Sequence, residues 1–79
     1  MKVTVHYYGL LAERLAKTSE EVKIQFNTDE FNLRTYFENR NPELEGISYQ
    51  IAVNQELTEI VNSKTTIKEI SLLPPFAGG

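Results

Sequence analysis

The sequence predicts an α+β fold, a small mixed sheet carrying one main helix on one face. Three observations predict it. Apolar residues alternate with polar ones at a period of two near the start, the middle and the end of the chain. One segment, between residues 28 and 40, changes to the spacing of an amphipathic helix. With 79 residues there is room for one core only, and a chain this short buries only ~60–65% of its unfolded surface.

The elements follow in order. Val3, Val5 and Tyr7 alternate with Thr4, His6 and Tyr8, a first strand over about residues 2–8, rich in β-branched and aromatic side chains. Gly9 punctuates it. Leu10 to Ala16 reads as a short helical turn, with Leu11 and Leu15 one turn apart. Val22, Ile24 and Phe26 alternate with Lys23 and Gln25 as a second strand. The link between the two strands is too short for a crossover with a full helix, so an antiparallel pair is expected.

Thr28-Asp29-Glu30 predicts a helix start, a hydroxyl cap followed by two acids at the positive end of the dipole. Leu33, Phe37 and one of Tyr36 or Phe31 form the buried stripe of a helix running to about Arg40. Asn41-Pro42 stops it, because the residue before proline avoids the α region. Tyr49, Ile51 and Val53 predict a third strand, Leu57 to Val61 a short fourth, and Ile67 to Leu73 the last. One helix on a small mixed sheet buries all of these stripes. Strand, strand, helix, strands is the β-grasp, or ubiquitin-like, order. The expected division is a β-grasp domain over residues 1–73 and an extended tail over 74–79.

Composition bounds the function. Apolar residues make up 41% and charged residues 24%, an ordinary soluble balance. Cysteine is absent, which excludes disulfides, thiolate metal sites and a thiol nucleophile. Met1-Lys2-Val3 runs straight into the first strand with no signal-peptide apolar run, and no apolar stretch approaches the ~18–20 residues that cross a bilayer. A cytoplasmic location with no membrane partner is expected. The net charge of −3 argues against nucleic acid, which needs a concentrated basic face.

A search for catalytic side chains returns little. The one histidine, His6, alternates outward from Val5 and Tyr7 and is expected to face solvent or a partner; alone it makes no zinc cluster. Glu20-Glu21 and Glu43 with Glu45 are acid pairs expected to be solvated. Gly9 and Gly46 are isolated, so no phosphate-cradling loop exists. Ser19, Ser48, Ser63 and Ser71 lack a nucleophile elbow. No metal site and no bound cofactor are expected.

That leaves Pro74-Pro75-Phe76-Ala77-Gly78-Gly79. The segment is open to two readings, a frayed end or a slim tip whose terminal carboxylate is the reactive group. Proline has no N–H and ends strand pairing, and two in succession favour a stiff polyproline stem. Extended, these six residues reach roughly 20 Å. Phe76 offers an anchor for a partner's apolar slot, and Gly78-Gly79 suits a channel too narrow for a Cβ. A carboxylate is a poor electrophile and needs activation by a nucleotide.

These residues resemble the small subunit of molybdopterin synthase over nearly the whole chain. The ending Ser71-Leu72-Leu73-Pro74-Pro75-Phe76-Ala77-Gly78-Gly79 is similar to that family's ending. The opening Met1 to Leu11, the run Leu33 to Phe37 with Arg40-Asn41-Pro42-Glu43-Leu44, and the string Ala52-Val53-Asn54-Gln55 match it as well. The resemblance implies a sulfur carrier, a non-catalytic subunit. An ATP-dependent activating enzyme adenylates the Gly79 carboxylate, and sulfur replaces the adenylate to give a thiocarboxylate. The tail then enters the large catalytic subunit, which builds the dithiolene of molybdopterin, two small and two large subunits forming a heterotetramer. Gly79 would carry the sulfur and Gly78 keep the channel clear. Tyr8, Leu57 and Leu73 match exposed apolar contacts with partners; by pattern alone, Tyr8 and Leu73 can equally cover the core's edge, and for Leu57 core packing is favoured over an interface.

There are departures from the family. Its Gly-Asp-Glu turn before the last strand is here Ile67-Lys68-Glu69-Ile70, which keeps only the glutamate, and Ala12 stands where an arginine is common. Other thiocarboxylate carriers, for thiamine or tRNA thiolation, share the Gly-Gly ending. So do ubiquitin-like protein modifiers, which generally carry arginine where this chain has Ala77. An interaction domain with a frayed tail completes the alternatives.

Overall fold

The structure, a computed structural model, describes residues 1–25 and 29–75. In chain order the elements are β1 (Lys2–Tyr7), α1 (Leu10–Leu15), β2 (Ser19–Lys23), β3 (Phe31–Asn32) and α2 (Leu33–Arg40). A 3-10 turn (Pro42–Leu44) follows, then β4 (Gln50–Val53), β5 (Glu56–Leu57), β6 (Ile60–Val61) and β7 (Glu69–Leu73). Five strands form one sheet in the order β2-β1-β7-β4-β5, and β3 pairs with β6 in a small second one. β1 is antiparallel to β2 and parallel to β7, and β4 is antiparallel to both β7 and β5. This is the ubiquitin-like β-grasp that the strand order predicts, with the last strand in the middle of the sheet.

The core is built from the predicted stripes. Val3, Val5 and Tyr7 of β1, Val22, Ile24, Ile51, Val53, Ile70 and Leu72 turn to one face, where Leu33 and Phe37 of α2 and Leu11 and Leu15 of α1 meet them. Each fully buried aliphatic side chain contributes ~1.5–3 kcal/mol. Tyr36 and Phe31 both pack against this core while partly exposed, their ring centroids 5.7 Å apart.

The helix begins later than the sequence suggests. Its cap is Asn32, whose Oδ1 accepts the Thr35 N–H at 2.9 Å, and its first residue is Leu33, whose N–H goes to the Glu59 carbonyl at 2.8 Å. Pairing of Phe31 with Val61 holds the chain extended up to that cap. Asp29 and Glu30 therefore precede the helix; Thr28 and Phe26 lie outside the described residues. Asparagine caps as well as threonine does, so the two candidate caps compete on local grounds and the β3–β6 ladder decides. The expected fourth strand is likewise two short ones in different sheets, β5 and β6, with Thr58-Glu59 crossing between them.

Glu20 corrects another expectation. Val5, its register partner, faces the core, so Glu20 stands at the core's rim and not in solvent. Its carboxylate accepts from the Tyr7 hydroxyl, from Arg40 Nη2 at 3.0 Å and from Lys17 Nζ at 3.2 Å. Burial alone would raise its pKa, yet these donors together hold it below the usual carboxylate range. The Tyr7 hydroxyl is pushed well above the ordinary tyrosine range by burial first and by the Glu20 carboxylate second.

The altered turn before β7 has its own support. Asn54 and Gln55 form the two-residue loop between β4 and β5 with φ of 51° and 72°, the positive dihedrals that a tight hairpin turn demands. The Asn54 side chain then ties the approach to β7: Oδ1 accepts the N–H groups of Lys68 at 2.7 Å and Glu69 at 3.2 Å, and Nδ2 donates to the Thr66 carbonyl at 2.7 Å. The approach to β7 is thus held by a side-chain clamp, and Ile67 within it is buried.

Candidate functional site

The candidate site is the exit of the tail from β7. That strand is bonded on both sides, Ile70 and Leu72 filling the core while Ser71 and Leu73 face outward, half-buried. The parallel ladder with β1 runs one residue past the strand's end, where the Tyr8 N–H donates to the Leu72 carbonyl at 3.2 Å. Directly beyond it the prolines begin, and both Pro74 and Pro75 are half-buried against the body. Phe76, Ala77, Gly78 and Gly79, the residues expected to anchor, thread and react, lie outside the described residues.

Gly9 stands beside this exit. It holds φ 58° and ψ −134°, the first central position of a II′-type turn, and the turn is closed by the Leu11 N–H on the Tyr8 carbonyl at 3.2 Å. A Cβ placed on Gly9 would come within 2.9 Å of Pro74 Cγ. The glycine read from sequence as punctuation is thus also the floor on which the stem's first ring rests. Only its place between strand and helix marked it in the sequence.

The outer face of the sheet spreads from this exit. Register places Leu57 opposite Ala52, Ala52 opposite Ser71, and Ser71 opposite His6, all on the face away from the core. Leu57 is 64% exposed, which corrects the core packing favoured for it from sequence, Tyr8 is 46% exposed, and Leu73 joins them half-buried. The expected location of His6 holds: it is half-buried on this face, its Nε2 3.7 Å from Glu69 Oε2 and its ring 6.4 Å from that of Tyr8. Leu10 and Ile60, which sequence reading did not single out, are also exposed at 48% and 43%.

Elsewhere the described surface offers open grooves. One of about 340 Å³ is lined by Arg34, Gln50, Ile51, Leu57, Thr58 and Glu59. Its charged groups are already engaged: Arg34 Nε meets Glu59 at 2.9 Å, and Arg34 Nη2 donates to the Tyr49 carbonyl at 2.9 Å while its guanidinium lies 4.4 Å over the Tyr49 ring. Tyr49 in turn donates to Glu38 at 2.9 Å, and burial, then that carboxylate, push its hydroxyl far above the usual range. Among the described residues no three His, Asp or Glu side chains cluster to hold a metal. No helix among them is long and apolar enough to cross a membrane.

No family model and no curated protein matches the chain. Among solved structures it is similar to SAMP1 from Haloferax volcanii, with TM-score 0.69, 16% identity and all of both chains covered. It is also similar to a Pyrococcus furiosus chain provisionally assigned as molybdopterin converting factor, subunit 1, with TM-score 0.68 and 17% identity over 96% of this chain and 99% of that one. At such identity the likeness is one of fold, and it extends from end to end.

Proposed function

We propose that this chain is a sulfur carrier of the type formed by the small subunit of molybdopterin synthase. The observation that carries the reading is the place of Pro74 and Pro75. They continue directly from the strand bonded on both sides at the centre of the sheet, and Phe76-Ala77-Gly78-Gly79 follows them in the sequence. The likeness in fold to a chain assigned as a molybdopterin converting factor subunit supports it.

In this reading the Gly79 carboxylate attacks the α-phosphorus of ATP held by a partner enzyme and pyrophosphate leaves. Hydrosulfide then adds to the acyl carbon of the adenylate, AMP departs with its bonding pair, and loss of the sulfur's proton leaves Gly79 as a thiocarboxylate. The carrier supplies no catalytic side chain. The tail next enters the large synthase subunit, where a pterin precursor receives the sulfur. Gly78 and Ala77 keep the tip slim and Phe76 anchors it. Tyr8, Leu57 and Leu73 contact the partner around the exit, in a cytoplasmic complex of two small and two large subunits.

The test is intact-mass analysis after incubation with an activating enzyme, ATP and a sulfur donor. The expected product carries one oxygen-to-sulfur exchange localised to Gly79. An unchanged mass under these conditions overturns the proposal, and isopeptide-linked adducts on lysine in its place would make the chain a protein modifier.

A further inference from the structure

We infer that Gly9 is a positioning residue for the tail, setting the direction in which Pro74 and all that follows leave the sheet. The inference rests on the carrier reading only for the use made of that direction; the contact itself is independent of it. Two separate facts require glycine here. The dihedrals, φ 58° and ψ −134°, lie where an L side chain is strained. The Cα also faces the Pro74 ring so closely that a Cβ would stand 2.9 Å from Cγ and 3.9 Å from Cδ. The first fact concerns the turn into α1, and the second concerns the stem.

The stem is stiff, which is why the contact matters beyond its own size. Pro74 has its φ fixed by the ring, and Pro75 restricts Pro74 in turn. The ring therefore cannot be turned aside by local rotation alone; a displaced Pro74 carries Pro75 and the tip with it. On the same flank, one residue earlier in the chain, the Tyr8 N–H holds the Leu72 carbonyl at 3.2 Å. The stem thus leaves β7 just past this ladder bond and against the bare Gly9 Cα. Where a tip must meet a reacting partner, a misplacement of about 1 Å can cost on the order of 100-fold in rate.

Tail direction is measurable without any partner. The chain has no cysteine, so Ala77→Cys gives a single site for a nitroxide label, whose paramagnetic broadening of backbone amides maps where the tail points. The map is compared among Gly9→Ala, Pro74→Ala and the double variant, each carrying the label. Gly9→Ala is expected to shift the broadening pattern and to expose the Tyr8 amide to exchange. In the Pro74→Ala background the same change is expected to leave the pattern of that background unaltered. If Gly9→Ala does not fold but the double variant does, the close approach is again responsible. A pattern unmoved by Gly9→Ala, an equal shift with and without the Pro74 ring, or equal unfolding in both backgrounds overturns the inference. A wild-type chain that forms no thiocarboxylate overturns the carrier reading and leaves this test intact.

Discussion

Arg40, the last residue of α2, donates to Glu20 of the edge strand β2 at 3.0 Å and so fastens the helix to the sheet. Lys17 and the Tyr7 hydroxyl share the same carboxylate. Glu20 is only 15% exposed, so the cluster is screened far less than a surface pair. Replacing Glu20→Gln leaves two cations without their anion. A loss of about 2 kcal/mol is expected in urea unfolding at neutral pH; a change within error would mean that the cluster contributes nothing.

The acid side of the stability profile follows from the same residue. Its folded pKa lies below the ordinary 4.5, so the native state favours the carboxylate. The stabilisation is full above the unfolded value and is lost as pH falls through the lower folded value. Midpoints measured in urea from pH 6 downward are expected to decline below about 4.5 in the wild type and to decline less in Glu20→Gln.

Alkali acts through two tyrosines. Tyr7 and Tyr49 are both held above the ordinary 10.0 by burial and a neighbouring carboxylate. Their contribution is full below 10.0, where the unfolded chain titrates, and falls as pH rises toward the folded values. Tyr49→Phe is expected to flatten the decline seen between neutral pH and the region above 10.0. An identical slope in the variant would sink the assignment.

The β4–β5 hairpin gives a pair of opposite effects. Asn54→Ala removes the three side-chain hydrogen bonds that hold the approach to β7 and places alanine at φ 51°. A loss of about 3 kcal/mol is expected. Gln55 sits at φ 72°, a position that glycine fills without strain, so Gln55→Gly is expected to gain ~0.5 kcal/mol. Thermal unfolding of both variants checks the pair of signs.

Partner contacts separate from stability at the exposed apolar positions. Leu57, at 64% exposure, is expected to tolerate Leu57→Ser within about 0.5 kcal/mol while, in the carrier reading, binding to a large synthase subunit weakens. Gly78→Val is expected to block sulfur transfer and leave the melting temperature near wild type. A large drop in melting temperature would make that residue part of the fold.

Much of this fold was legible in the sequence, because alternation and helical spacing are local signals. The buried sides of β1, β4 and β7, Leu33 with Phe37, and Leu11 with Leu15 all stand where those periods put them. What stayed hidden was set by partners distant in sequence. Glu20 looks like any surface acid until Tyr7, Lys17 and Arg40 converge on it. Asn54 shows a turn but not the three backbone groups it holds. The candidate site was marked in the sequence by the tail motif, whereas the contact at Gly9 depends on a proline near the other end of the chain. Leu57 was favoured as a core residue by pattern and is exposed instead, since a two-residue strand has too few alternations to assign a face.

The central place of β7 has a mechanical consequence. Force on the tip, as when it is withdrawn from a partner's channel, runs along the strand and loads the ladders to β1 and β4 in shear. The bonds of both ladders then share the load, whereas an edge strand pulled the same way would be held by one ladder only. In the carrier reading, a pull on the tail is thus borne by two ladders at once.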